Sequence, residues 1–225
     1  MSDNKEDFAP IDGFEPVRKA VFAKALELAA FEGWTSSMLD GAAREAKVTP
    51  SSLKAAFPAG IRDLLRYWSE MADEQMLAAM KTSEFAGLKI REKVAFAVRS
   101  RLDVLAAHKE AARRAAALMA LPPYSILAAT LSWRTADKIW RGLGDQSTDF
   151  NFYSKRGILT GVWTSTFARW LADDSEDRAA THAFLNDRIG NVMQIEKAKA
   201  RVKDLGLDPT KPIEWLARLR YPARR

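Results

Sequence analysis

A long helical hairpin, spanning roughly residues 124–172, constrains the fold of this chain more than any other stretch. Apolar side chains recur at helical spacing on both sides of a short polar turn. In the second helix they recur at intervals of three, four and seven residues, which places them in one stripe on a helix of 3.6 residues per turn. Four of the seven tryptophans lie within residues 133–175. We therefore expect two long, packed helices at the centre of the protein.

The turn between these helices contains residues that suit both helix ends. Gly144 can adopt the left-handed conformation that follows the last turn of many helices. Thr148 or Asp149 can accept hydrogen bonds from the free amides at the start of the next helix. The sequence thus predicts that one helix ends near Leu143 and that the next begins near Phe150.

The rest of the chain is also helical by pattern. Proline and glycine punctuate three short N-terminal helices at about residues 17–32, 36–46 and 49–57, which is the outline of a helix-turn-helix unit. No alternating strand pattern persists anywhere, so we predict an all-α fold of about nine or ten helices. Its expected parts are an acidic leader (1–15), a helix-turn-helix-like subdomain (16–60), a large helical domain (61–205), and a linker with a basic, amphipathic C-terminal helix (206–225).

The charge distribution argues against nucleic acid as a partner. The net charge is +6, but residues 1–87 hold ten basic and fourteen acidic side chains. Duplex binding draws much of its affinity from neutralised phosphates, and Lys54 is the only cation in the expected reading helix. We therefore predict that the helix-turn-helix outline does not read DNA.

Catalytic and metal-binding patterns are missing from the sequence. The chain has no cysteine, and neither His108 nor His182 has a glutamate three residues before it, as helical di-iron sites require. No phosphate-binding glycine loop or serine nucleophile motif occurs. We expect a protein that is not an enzyme and has no cofactor. The acidic first residues are unlike a transit peptide, so we expect a cytoplasmic location.

Several motifs around the hairpin resemble one family. They are Asp137-Lys138-Ile139-Trp140, the run from Ser147 to Tyr153, and Lys155-Arg156, with Phe57-Pro58-x-Gly60 near the N-terminus. These residues are similar to the TetR-like accessory lipid-binding proteins of ubiquinone biosynthesis. The similarity extends from about residue 17 to residue 193.

The resemblance implies a TetR-regulator-like homodimer that binds an isoprenoid quinone or other lipid and presents it to the demethoxyubiquinone hydroxylase. Residues 61–205 would then be the lipid-binding and dimerisation domain. The same apolar stripe also suits an ordinary core or a dimer seam. The alternative function is a TetR-type, ligand-responsive transcription regulator. We assign lipid binding to Leu127, Leu131, Trp133, Ile158, Leu159, Val162, Trp163 and Phe167.

The resemblance also implies a surface patch that docks the hydroxylase. The family usually has tryptophan at the position of Phe152. Asp149 could equally be a helix cap, the consecutive aromatic residues could belong to the core, and the basic pair could be a solvated face. The residues assigned to partner binding are Asp137, Trp140, Asp149, Asn151, Phe152, Tyr153, Lys155 and Arg156.

The C-terminal segment is the expected membrane contact. Aliphatic and indole side chains beside arginines suit the headgroup boundary of an anionic bilayer. The same segment could instead pack on its own domain, but the resemblance favours the membrane and predicts a peripheral protein on the inner face of the cell membrane. The residues assigned to membrane binding are Ile213, Trp215, Leu216, Arg218, Leu219 and Arg220.

Overall fold

The computed structural model describes residues 12–148 and 150–204. The predicted all-α fold is confirmed, because this part of the chain contains ten α-helices and two 3-10 turns and no strand. The 3-10 turns are Asp12–Phe14 and Glu176–Arg178. The helices are α1 (Glu15–Glu32), α2 (Ser36–Glu45), α3 (Pro50–Ala56), α4 (Ile61–Ala79), α5 (Ser83–Ala86), α6 (Ile90–Ala106), α7 (Lys109–Met119), α8 (Pro122–Gly142), α9 (Phe150–Leu171) and α10 (Ala179–Asp204).

Short polar residues set the ends of the first three helices. Gly33, with φ +72°, ends α1. The Thr35 hydroxyl accepts a hydrogen bond from the Met38 amide at 3.1 Å and caps α2. The Thr49 hydroxyl accepts one from the Ser52 amide at 3.2 Å and caps α3. These caps satisfy amides that have no partner inside the helix, which is why such short helices form here.

Aromatic contacts join the N-terminal helices to the rest of the protein. Helix α1 packs on α2 and α7, and α4 packs on α6 and α8. The Trp34 indole nitrogen donates to the Ala111 carbonyl oxygen of α7 at 2.9 Å. Its ring lies against Trp68 of α4, with ring centroids 5.2 Å apart. One continuous hydrophobic core therefore runs from α1 to α10.

The predicted hairpin consists of α8 and α9, which pack along each other, and α10 packs on the other side of α9. The expected conformation of Gly144 is confirmed by its φ of +80°. Its amide donates to the Arg141 carbonyl oxygen at 2.9 Å, and the Asp145 amide donates to the Trp140 carbonyl oxygen at 3.0 Å. These two bonds form a Schellman motif, which satisfies the last carbonyl groups of α8 and turns the chain back towards α9.

Within the described residues, no single helix is long and apolar enough to cross a bilayer. Helices α7 and α8 reach that length and composition only when taken together, and a bend of 118° separates them.

The Trp34 contacts lead to a stability prediction. Substituting Trp34→Phe removes the bond to Ala111 and part of the contact with Trp68, so we expect a loss of about 2 kcal/mol in the free energy of unfolding. Urea denaturation followed by circular dichroism measures this loss. The control is Phe31→Ala at the end of α1, close to Trp34 in the chain, because Phe31 is 82% exposed and its removal should change stability by less than about 0.5 kcal/mol. Equal stability of the two variants would contradict the structural role of Trp34.

Candidate functional site

The first cavity lies among α4, α6, α7, α8 and α9 and has a volume of about 260 Å³. This volume is near the lower limit of small-molecule sites, which span about 300–1,000 Å³. Four polar residues contribute to the wall: Ser69, Arg101, Ser132 and Thr164. The remaining lining is apolar: Leu65, Trp68, Leu105, Ala112, Ala115, Ala116, Met119, Ala120, Ala128, Leu131, Trp163 and Phe167.

The second cavity lies on the other side of α9, towards α6 and α10, and measures about 250 Å³. Two cationic side chains, Arg91 and Lys155, lie at its wall. Its other lining residues are Ile90, Val94, Trp140, Ser154, Ile158, Leu159, Val162, Ile189 and Val192.

The eight residues predicted to bind lipid do not form one site. Leu131, Trp163 and Phe167 line the first cavity, whereas Ile158, Leu159 and Val162 line the second. The cause is the width of the apolar stripe on α9. At about 100° per residue, positions 158 and 167 are half a turn apart and therefore face opposite sides of the helix.

The other two predicted lipid residues lie outside both cavities. Leu127 is buried in the core. Trp133 is half-buried on α8 and lies beside Tyr153, with ring centroids 6.5 Å apart. Trp133 therefore lies with the aromatic residues on the surface of the hairpin.

Arg101 is the charged residue in the lining of the first cavity, and it was not among the predicted site residues. Its side chain is buried, with 5% of its surface exposed. The Nε atom donates to Asp73 Oδ1 at 2.7 Å, and Nη2 donates to Ser69 Oγ at 2.9 Å. The guanidinium also lies over the Trp163 ring, 4.3 Å from its centroid. A signal did exist, because Arg101 occupies a helical position in register with the apolar residues Val94, Val98 and Leu105.

The aromatic patch consists of Trp133, Phe152 and Tyr153. Tyr153 is 63% exposed, and its ring centroid lies 5.1 Å from that of Phe152. Beside the patch, the Trp140 indole nitrogen donates to the Lys155 carbonyl oxygen at 3.1 Å. The Lys155 ammonium lies over the Trp140 ring, 5.4 Å from its centroid. The contacts of Trp140 with Lys155 therefore join α8 to the first turns of α9, and these two helices carry the rings of the aromatic patch.

The structure corrects the prediction that Arg156 is a surface docking residue. Only 1% of Arg156 is exposed. Its Nε donates to Asp137 Oδ1 at 2.6 Å, and its Nη1 donates to Asp145 Oδ2 at 3.1 Å. The guanidinium also lies over the Phe152 ring, 3.5 Å from the ring centroid. Because Arg156 binds α8, the turn and α9 together, it positions the aromatic patch and does not itself face a partner.

Asp145 is the acceptor at the centre of this ion network. Lys155 Nζ donates to its Oδ1 at 2.6 Å, and the Ser147 hydroxyl donates to its Oδ2 at 2.7 Å. These two bonds, with the further one from Arg156, hold the pKa of Asp145 well below its ordinary value in spite of burial.

Several predicted residues lie outside what the structure describes. Asp149 is one of them, and the Asn151 side chain, in the first turn of α9, is another. The assigned membrane residues also lie outside the described range: Ile213, Trp215, Leu216, Arg218, Leu219 and Arg220.

The fold is TetR-regulator-like. The crystal structure of the TetR transcriptional regulator from Nitrosomonas europaea ATCC 19718 matches with a TM-score of 0.64. The match covers 78% of this chain and 97% of that one, at 23% sequence identity. At this identity the likeness shows the fold alone.

The sequence resemblance to the ubiquinone biosynthesis family is confirmed. Residues 126–196, which contain the hairpin, match the COQ9 family model. The "Ubiquinone biosynthesis protein COQ9, mitochondrial" of Rattus norvegicus is 26% identical over 212 residues, which are 91% of this chain and 66% of the rat protein. The protein of the same name from Homo sapiens is 25% identical, and the match covers 91% of this chain and 65% of the human protein. The chain thus spans less than two thirds of the length of these relatives.

The ion network predicts a specific pH dependence. Because the folded-state pKa of Asp145 is lowered, its contribution to stability is complete above the ordinary pKa near 3.8 and is lost as the pH falls below it. We expect Asp145→Asn to cost on the order of 2 kcal/mol at pH 7, and the difference from wild type should narrow progressively below pH 3.8.

Urea titrations between pH 7 and pH 3 measure this difference. The matched control is Asp40→Asn on the exposed surface of α2, which should change stability little at any pH. A difference between wild type and Asp145→Asn that stays constant across this range would contradict the lowered pKa.

Proposed function

We propose that this chain is a non-enzymatic lipid-binding protein of ubiquinone biosynthesis. It binds a polyisoprenoid quinone intermediate in the first cavity and presents it to a di-iron hydroxylase docked at the aromatic patch. The observation that carries the proposal is the first cavity itself. It is a partly open, mostly apolar space among five helices, two of which are the helices that the family resemblance singles out.

A sheltered apolar space meets the physical need of such a lipid. Moving a hydrocarbon chain from a bilayer into water costs roughly 0.8 kcal/mol for each exposed methylene group. Alanines from α7 and α8 leave room in the first cavity, and Leu131, Trp163 and Phe167 provide apolar contact surface. Transfer into the cavity therefore offsets the cost of leaving the membrane for the part of the lipid that enters.

The aromatic patch suits a protein partner. Tyrosine and tryptophan are the side chains that most often dominate the binding energy of protein interfaces. Tyr153 presents its ring to the surface, and the ion network of Arg156 holds α9 beneath it. The patch lies on the same two helices as the first cavity, so a docked hydroxylase would be close to the bound lipid.

The outer face of α9 supports a homodimer. Gly157, Gly161 and Ala168 are exposed there at helical spacing. A Cβ atom placed on either glycine would meet nothing within 4 Å. Small residues allow a second helix to approach closely.

We extend the proposal to a peripheral protein on the inner face of the cell membrane, with residues 213–220 as the membrane contact.

The cavity assignment is tested by filling the space. Substituting Ala128→Phe places a ring in the first cavity and should reduce the amount of co-purified lipid at least tenfold. Overpacking costs about 1–3 kcal/mol, which leaves a folded protein. The matched control is Ala129→Phe, because Ala129 is exposed on the same helix. Mass spectrometry of lipids extracted from purified protein gives the amounts. Equal lipid content in both variants would contradict a ligand in this cavity.

The docking assignment is tested at Tyr153. We expect Tyr153→Ala to weaken binding of the demethoxyubiquinone hydroxylase at least tenfold, as removal of a dominant interface residue does. Phe31→Ala, which removes an exposed ring from α1, should leave binding unchanged. Surface plasmon resonance measures the affinity, and circular dichroism checks the fold. Unchanged affinity of Tyr153→Ala would exclude the patch as the docking site. Arg156 is unsuitable for this test because its substitution disturbs the buried ion network.

The TetR-like fold favours a second candidate function, a ligand-responsive transcription regulator. In α3, Lys54 is the basic residue, and its Nζ donates to the Pro58 carbonyl oxygen at 2.8 Å. A gel-shift experiment with the DNA upstream of the gene, at low and physiological salt, separates the candidates. Sequence-specific binding at physiological salt would favour the regulator.

A further inference from the structure

We infer that the corner between α7 and α8, residues 117–130, inserts into an anionic bilayer and places the mouth of the first cavity against the membrane. This α7–α8 corner is a membrane contact separate from the C-terminal segment. The inference rests on the proposed function only for the lipid that would pass through the mouth.

The first observation is the apolar surface of the α7–α8 corner. Between Arg114 and Arg134 the sequence has nineteen consecutive residues without a charged side chain. Leu121 and Ile126 lie in this stretch and are 51% and 80% exposed. Helices α7 and α8 together reach the apolar composition of a membrane span, and their 118° bend lies at this corner. The exposed residues around the two aliphatic side chains are Pro122, Pro123, Ser125, Ala129 and Thr130.

The second observation is that polar groups of the corner are already paired within it. The Ser125 hydroxyl donates to the Pro122 carbonyl oxygen at 3.0 Å, and the Thr130 hydroxyl donates to the Ile126 carbonyl oxygen at 2.8 Å. Pro122 and Pro123 have no amide hydrogen, so the start of α8 exposes fewer free donors than most helix ends. Lipid tails offer no hydrogen bonds, and a surface that enters them needs such internal pairing.

The third observation is a cation fixed at the edge of the corner. Arg62 is exposed at the start of α4. Its Nη2 donates to the Pro123 carbonyl oxygen at 2.9 Å, and its guanidinium lies over the Tyr124 ring, 5.0 Å from the centroid. Among the described residues, Arg62 has no carboxylate within ion-pair distance. Its charge therefore remains available for a lipid phosphate beside the inserted side chains.

A second cationic group lies on α7, one to two turns before the corner. Arg113 and Arg114 are both exposed, and both pair with the single carboxylate of Glu110. An apolar tip with a cationic rim matches the hydrocarbon and the phosphates of an anionic bilayer. The C-terminal segment suits this corner poorly as a cover, because residues 213–225 carry four arginines and one glutamate. Two basic apolar segments instead share one anionic partner.

The fourth observation is that the first cavity reaches the surface at this corner. Ala120 lines the cavity and is also exposed. Met119 and Ala128 line it on either side of the bend. Insertion of Leu121 and Ile126 would therefore bring the opening beside Ala120 to the hydrocarbon. A lipid tail would then enter the cavity without crossing water.

The experiment uses the full chain and a fluorescent label at one position. The chain has no cysteine, so a single introduced cysteine carries the nitrobenzoxadiazole label. We expect the label on Ile126→Cys to gain fluorescence at least about twofold on vesicles of phosphatidylcholine and phosphatidylglycerol, because it leaves water for hydrocarbon. Doxyl-labelled lipid should quench it. The matched control is Phe31→Cys, because Phe31 is 82% exposed on α1 and its label should stay in water.

The cationic rim is tested separately at Arg62. Arg62→Gln should weaken binding to the anionic vesicles about fivefold, the effect of one basic residue at an anionic surface. It should leave binding to pure phosphatidylcholine vesicles unchanged. Lys19→Gln, which removes an exposed cation from α1, is the control. Vesicle sedimentation measures binding, and circular dichroism checks the fold. Equal binding of the two variants to anionic vesicles would overturn the role of the rim.

The outcomes separate this inference from the proposed function. A label at position 126 that stays in water when vesicles are added would overturn the inference. A fluorescence gain that needs only more protein, or only the added hydroxylase, would also overturn it, because the corner would then be a protein interface. A label that enters the bilayer in a protein that co-purifies with no lipid would uphold the membrane contact and contradict the proposed function.

Discussion

The packing of α8 along α9 determines the positions of the first cavity and of the aromatic patch, the two candidate sites. Its strongest polar element is the buried guanidinium of Arg156, which contacts Asp137 on α8 and Asp145 in the turn. Both carboxylates and the guanidinium lose water when the hairpin forms, and only close pairing compensates for that loss. The network therefore defines one arrangement of the hairpin, in which Tyr153 faces outwards and Trp163 faces the first cavity.

A second buried arginine, Arg101, lies at the wall of the first cavity. Arg101 connects α6 to α4 through Asp73, and the Asp73 carboxylate extends the contact to Thr135 of α8. Three helices around the cavity are thus joined by one carboxylate. Most of the cavity wall is apolar, and a low local dielectric makes each buried polar contact stronger. The proposed lipid would therefore meet both apolar side chains and a few polar groups in this cavity.

Local sequence patterns were sufficient to predict most of the helices and the turn, although not the short helix α5. The left-handed Gly144 and the helix boundaries near Gly33 and Pro50 depend on neighbouring residues only, and all were predicted. The resemblance of residues 133–156 to one family was also visible in the sequence. The docking and lipid-binding roles of individual residues stay predictions.

Long-range contacts account for what the sequence could not provide. The burial of Arg156 depends on Asp137, nineteen positions away, and that of Arg101 depends on Asp73, twenty-eight positions away. From sequence alone, a charged residue is expected to be exposed, because a buried charge needs a partner of opposite charge that the sequence does not identify. The apolar stripe of α9 is divided between two cavities for a similar reason. Helical periodicity gives the direction of each side chain, but it does not give the neighbouring helix that the side chain contacts.

Photoaffinity labelling tests the central claim most directly. A short-tailed quinone carrying an azido group on the ring would be irradiated with the purified protein, and the labelled peptides would be mapped by mass spectrometry. We expect labels in the peptides containing Arg101, Leu131 and Trp163, and loss of these labels in the presence of excess decylubiquinone. Labels confined to the second cavity, at Ile158 and Ile189, or labels that excess ligand does not suppress, would contradict it.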